Sequence, residues 1–201
     1  HGDNWTKNSL SEMSGLSLAG TTNILQHLQE QNEILYVGDR ESTGGRKSKQ
    51  YTLNPEFSHV GTIFCRRKAN EYCLIVQDIN LGNHILQSHI INSEHGTVDD
   101  FQSALRWIKK DPLIQYIAVS IPGVCSHGKI RSCDFENFEN MDLGARITKE
   151  CNVPYVIEND VNTACISYAR KEGNMHDIAL VYQPKVACIG CGILIRGRLY
   201  N

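Results

Sequence analysis

The sequence predicts an α/β protein preceded by a small helical module, and three observations carry that prediction. Across residues 56–201, strand-like and helix-like stretches follow in the order β-β-β-α-β-α-β-α, an antiparallel start with a parallel continuation. At Val153 to Asn162 a β-branched apolar run passes straight into helical spacing, with Val161, Ala164, Cys165 and Tyr168 at i, i+3, i+4 and i+7. Residues 1–55 read instead as helix, glycine turn, helix and hairpin.

Bulk properties bound the class. The 201 residues are 41% hydrophobic and 21% charged, with a formal net charge of −2, as in an ordinary globular protein. That balance excludes a broadly basic nucleic-acid coat, so any DNA contact must rest on a local patch. No apolar run approaches the roughly 20 residues of a membrane helix. Eight cysteines are scattered, several inside apolar runs where a thiol behaves as a small hydrophobe. They read as reduced, and the protein as cytoplasmic. Cys188-Ile189-Gly190-Cys191 has metal-like spacing without a second pair, so no metal is expected there.

The first domain is expected over residues 1–55. Thr6 to Met13 reads as a short helix capped by Thr6, with Leu10 and Met13 on one face and Gly15 ending it. A second helix over about Ala19 to Gln31 would bury Thr21, Ile24, Leu25 and Leu28. Ile34 to Val37 and Lys49 to Leu53 read as strands joined by a glycine-containing tip with Arg46 and Lys47. This is the winged helix-turn-helix arrangement, and arginine on a thin loop suits a narrow minor groove. The expected DNA contacts are Ser17, Thr22 and Asn23 from the second helix, with Arg46, Lys47 and Lys49 from the wing. The other reading is a small helical module with a solvated basic hairpin. The segment carries five Lys and Arg against six Asp and Glu, and its second helix lacks an arginine to grip guanine. A winged module normally has a helix ahead of these two, and the chain starts almost at the second, so either an upstream helix was removed or left out or the module is incomplete.

Asn54-Pro55-Glu56 marks the boundary to the second domain, residues 56–201. Strands are expected at His59 to Cys65, Tyr72 to Gln77 and His84 to Ile91. Thr97 then caps a helix whose stripe is Phe101, Ala104, Leu105 and Ile108, ended by Asp111-Pro112. Tyr116 to Ile121 reads as a buried strand closed by Pro122-Gly123. Leu143, Ile147 and Cys151 mark another helix, and further strands begin at Ile178 and Ile189. The order is that of one ribonuclease-H-like lobe of the actin and sugar-kinase type, with the start of a second. Asn159 and Asp160 then fall where a strand gives way to a helix, as caps or as groups facing a crevice.

Four stretches resemble the ROK family of repressors and sugar kinases. Ser42-Thr43-Gly44-Gly45-Arg46-Lys47 is similar to the wing of its repressors, and Ile121-Pro122-Gly123 to its Val-Pro-Gly strand end. Cys133 to Leu143 is similar to its Pro-Asn-Leu-Pro-Gly-Trp segment, and Glu158-Asn159-Asp160-Val161-Asn162 matches its Glu-Asn-Asp-x-Asn signature. The resemblance implies that Asn159 and Asp160 bind sugar hydroxyls, and that Asp160 matches the general base of kinase members. The family's sugar-binding Asn falls on Asp134, which keeps an acceptor and loses the amide donors.

The phosphate loops depart from the family. Where an Asp-x-Gly-Gly-Thr loop is expected, the chain reads Ile63-Phe64-Cys65-Arg66-Arg67, without the glycines that let N–H groups approach an anion. Arg66 and Arg67 read as a solvated turn, with attraction of an anion as the other reading. Of the second loop, Val186 to Gly192, only Gly190 and Gly192 survive. The family's His-containing sugar motif and Cys-rich zinc motif fall beyond the point that matches Asn201. The resemblance therefore implies a sugar-responsive transcriptional regulator, a repressor, with no catalytic residue, metal or cofactor. Its partners would be double-stranded operator DNA, a small sugar or sugar-phosphate effector, and its own copies in a homodimer or homotetramer. The rival readings are an ATP-dependent sugar kinase with an accessory N-terminal module, and a regulator that has lost its ligand response.

Overall fold

The computed structural model describes residues 4–40, 47–68, 71–173, 177–183 and 189–200. Its packing divides the chain into two compact units, His1–His59 with Ile79–Ile85, and Val60–Asp78 with Leu86–Asn201.

In the first unit, β1 (Trp5–Thr6) leads into α1 (Lys7–Ser14), α2 (Leu18–Glu30), β2 (Ile34–Arg40) and β3 (Ser48–Leu53). Thr6 caps α1 through a reciprocal pair with Ser9, and Gly15 ends it at φ +71°, a left-handed turn that glycine adopts without strain. The strands form one antiparallel sheet in the order β1-β3-β2, and the pairing of Trp5 with Tyr51 was not foreseen. Two burial expectations in α2 are corrected. Ile24 is 46% exposed and Leu28 only partly buried, so the buried stripe narrows to Thr21 and Leu25. Helical periodicity fixes which residues share a face, but not how wide a surface the neighbouring elements cover. The unit runs past Pro55 because the Leu81 N–H donates to the Pro55 carbonyl (3.0 Å) and the Asn80 amide to Glu56 (2.6 Å). The tip residues 41–46, including Arg46, lie outside the described residues.

The second unit is built on a five-stranded sheet in the order β10-β7-β4-β5-β6. Its members in chain order are β4 (His59–Lys68), β5 (Glu71–Asn80), β6 (Ile85–Ser93), β7 (Ile114–Ile121) and β10 (Tyr155–Asn159). Only a few residues join β4 to β5 and β5 to β6, too few for a parallel crossover, so these neighbours run antiparallel. β7 and β10 pair in parallel, from Tyr155 opposite Ile117 to Asn159 opposite Ile121. Strict alternation of buried and less buried residues along β5 places one face of the sheet on the core. Between β6 and β7 lies α3 (Val98–Ile108), capped by Thr97 and Asp100 and burying Phe101, Ala104, Leu105 and Ile108 as expected. A hairpin of β8 (Gly123–Ser126) and β9 (Lys129–Cys133) follows β7, and α4 (Leu143–Cys151) precedes β10. Phe101, Phe135 and Phe138 are fully buried, with edge-on or tilted contacts at 5.1–5.9 Å between ring centres. The strand β4 also corrects an expectation. Arg66 and Arg67 are strand residues, not a turn, because the chain stays extended to Lys68.

After β10 the chain enters α5 (Asp160–Lys171), then a three-stranded antiparallel sheet of β11 (Ile178–Tyr182), β12 (Gly190–Ile195) and β13 (Arg198–Leu199). The buried face of α5 is Val161, Cys165 and Ala169, while Ala164 is exposed and Tyr168 is 51% exposed. The stripe is rotated from the expected one because β12 covers that side. A β-carbon on Gly192 would lie 2.8 Å from the Val161 carbonyl oxygen and 2.9 Å from the Cys165 β-carbon. The surviving glycines of the second loop thus permit close helix–strand approach. Gly192→Ala is expected to destabilise the fold by about 1–3 kcal/mol, the usual range for overpacking; urea denaturation checks it, and an unchanged midpoint would remove this role. The seven described cysteines are free thiols, Cys65 and Cys165 buried among apolar neighbours. Among the described residues no helix is long and apolar enough to cross a membrane.

Candidate functional site

The parallel pairing of β7 with β10 brings Ile121-Pro122-Gly123 alongside Asn159 at the C-terminal ends of both strands, where open α/β sheets hold ligands. A cavity of about 590 Å³ opens there. Its polar wall holds Arg66 and Arg67 from the end of β4, Asp134 after β9, and Asp160 at the start of α5. Phe64 and Tyr182, 39% and 51% exposed, supply aromatic surface to the same cavity.

The signature residues divide into two sets. Asn159 is the N-cap of α5, its side-chain oxygen accepting from the Val161 (2.9 Å) and Asn162 (3.1 Å) N–H groups. Its amide donates to the Gly123 carbonyl at 3.0 Å. Glu158 accepts from the Asn159 N–H (2.7 Å) and the Asn162 amide (2.9 Å). These three side chains hold the strand-to-helix junction together and tie it to the end of β7. Asp160, by contrast, lines the cavity. Its pKa is raised, first by burial and then by the Asp134 carboxylate, against a lowering by the Val161 N–H. Both carboxylates line the same cavity. Asp134 is fixed by its N–H bond to the Pro122 carbonyl at 3.0 Å. Beside it, burial pushes the Cys133 thiol up to about 11, which leaves it a poor nucleophile.

In the first unit, a concavity of about 670 Å³ gathers Lys7, Thr22, Lys47 and Lys49. Sequence reasoning reached the last three but missed Lys7 and Asn8, which only the packing of α1 near the hairpin brings in. Lys49 lies over the Tyr36 ring at 5.7 Å. Ser17 caps α2 by accepting from the Gly20 N–H (3.1 Å), and the Thr22 hydroxyl donates to the Leu18 carbonyl (2.7 Å). Both are exposed, as is Asn23.

The mixed α/β sheet of the second unit, with its crevice at the ends of β7 and β10, resembles the sugar-kinase fold. Residues 79–201 match the model of the ROK family, and the chain belongs to that family. It is 25% identical over 201 residues to a protein named xylose repressor from Bacillus spizizenii (strain ATCC 23059 / NRRL B-14472 / W23), covering 96% of this chain and 52% of that one. The chain spans about half the length of the curated relatives it matches. Among solved structures, a ROK family transcriptional regulator, homolog of E. coli MLC protein, aligns over 98% of this chain and 52% of its own. Its TM-score is 0.72 at 19% identity. A ROK family glucokinase from Streptomyces griseus, in complex with glucose and AMPPNP, aligns over 70% of this chain and 46% of its own. Its TM-score is 0.54 at 17% identity.

Proposed function

We propose that the protein is a sugar-responsive, DNA-binding transcriptional regulator of the repressor type, whose kinase-like lobe senses a ligand without phosphorylating it. The observation that carries this reading is the difference in coverage. The regulator structure matches 98% of the chain, first unit included, whereas the glucokinase covers 70%. In this reading residues 1–55 are a winged helix-turn-helix, and Ser17, Thr22, Asn23, Arg46, Lys47 and Lys49 face operator DNA. Lys7 joins them through the shared concavity. Asp134, Asn159 and Asp160 form the sugar site, with Asp160 gripping a hydroxyl and Asn159 acting chiefly through the backbone it positions. Ligand binding biases the lobe, and a homodimer or homotetramer in the cytoplasm transmits the change to two DNA modules.

Duplexes selected from a random library would supply the operator for a gel-shift test. Lys49→Ala is expected to weaken binding and to flatten its dependence on log salt by about 0.9, one phosphate contact. An unchanged slope would remove the hairpin from the DNA interface. Coupled ATP turnover with hexoses and N-acetyl-hexosamines separates the reading from a sugar kinase, and clear phosphorylation would overturn it. Support for the sensor comes from β4, which stays extended through Arg66 and Arg67 where a nucleotide-binding loop would need glycines.

A further inference from the structure

We infer that the cavity takes an anionic sugar derivative, its hydroxyls held by Asp134 and Asp160 and its phosphate or carboxylate by Arg66 and Arg67. The inference rests on the sensor reading above and gives the ligand its chemical class. One cavity of about 590 Å³ holds two carboxylates and two guanidiniums. That volume falls in the range of small-ligand sites. Arg66 and Arg67 are exposed, and among the described residues neither has a carboxylate partner. The two acids therefore do not use up the two cations, and the cavity keeps an acidic part and a basic part.

Arg67 is held for such a task. Its guanidinium stacks over the Tyr72 ring at 5.4 Å and donates from one Nη to the Asp134 carbonyl oxygen at 3.4 Å. The Tyr72 ring is in turn packed edge-on to Phe135 at 4.8 Å. A planar fork seated on an aromatic face loses little further freedom on binding, and its remaining N–H groups can take two oxygens of a phosphate or carboxylate at once. The bond to the Asp134 main chain also links the anion-binding wall to the residue proposed to read sugar hydroxyls. Solvated side chains on an open turn would have neither a stacking partner nor a shared cavity wall. Backbone N–H groups of a glycine loop are the usual way to hold nucleotide phosphates. Side-chain guanidiniums on a strand replace them here, which suits a terminal anion on a compact ligand.

Isothermal titration on the full chain tests this with matched sets: glucose, glucose 6-phosphate and glucuronate; N-acetylglucosamine and its 6-phosphate; xylose; and inorganic phosphate. An anionic member is expected to bind at least about tenfold more tightly than its neutral parent, the worth of one charge-assisted contact. Comparison of glucose 6-phosphate with glucuronate tells which anion is read. In the Arg66→Ala/Arg67→Ala variant that preference is expected to collapse, anionic and neutral members then binding within about threefold of each other. Asp160→Ala is expected to weaken neutral and anionic forms alike. Asp160-dependent sugar binding with no preference for the anion would overturn the inference and leave the sensor reading standing. A preference that survives loss of both arginines would also overturn it. If no sugar of either kind binds, or only inorganic phosphate does, the sensor reading falls and the inference with it.

Discussion

Phe135→Ala is expected to cost about 3–5 kcal/mol of stability, the usual range for emptying a fully buried aromatic site. Phe135 has no exposed surface, meets Tyr72 edge-on at 4.8 Å and lies against Phe138 at 5.1 Å. The left-handed turn at Gly96 presses on the same ring, since a β-carbon there would come within 2.7 Å of it. Removing the ring leaves a void that three neighbours would have to fill. In a domain of this size the loss corresponds to a fall in Tm of about 6–20 °C. The effect should reach the cavity, because Asp134 directly precedes Phe135 and Tyr72 carries the Arg67 guanidinium. Thermal denaturation followed by circular dichroism checks the first part, and Phe135→Leu should recover part of the loss. A Tm within 2 °C of wild type would show that the ring is not a keystone of this core.

Asp160→Asn is expected to move stability and ligand binding in opposite directions. Burial and the neighbouring Asp134 carboxylate raise the folded-state pKa of Asp160 above its ordinary value. Above that raised pKa, the native protein holds a charge that its surroundings disfavour, so the folded state is penalised at neutral pH. As pH falls through the raised pKa the folded state takes up its proton first, and the penalty shrinks. Below the ordinary carboxylate value both states are protonated and the penalty is gone. The uncharged asparagine should therefore raise Tm at pH 7, with the gain fading as the solution is acidified towards pH 4. The same change removes a charged acceptor and should weaken sugar binding by roughly ten- to a hundredfold. A residue that costs stability where it lines a cavity is the pattern expected of a functional group. A lower Tm at pH 7 would show that the carboxylate serves the fold instead.

Local signals proved readable, and signals that depend on distant partners did not. Thr6, Gly15 and Thr97 announce helix ends because a cap is written within four residues of itself. The stripe of α3 is legible because its face is buried along its whole length. Ile24 and Tyr168 were misjudged because periodicity names a face without naming what covers it. Arg66 and Arg67 suggest a turn when read alone. Their strand placement depends on pairing within a sheet that draws strands from across the second unit. Asn159 is the sharpest case. As a cap and as a signature residue it looks the same in sequence, and its bond to the Gly123 carbonyl, 36 residues away, shows where its amide goes.

That bond has an evolutionary consequence. Glu158, Asn159 and the Asn162 amide bond within the junction, while Asp134, Asp160 and the two arginines line the cavity. The side chains that hold the strand-to-helix corner are thus separate from those that line the cavity. Mutation can exchange the second set, one side chain at a time, without collapsing the frame held by the first. A lineage built this way can change the lining of its cavity while the strand-to-helix corner stays as it is.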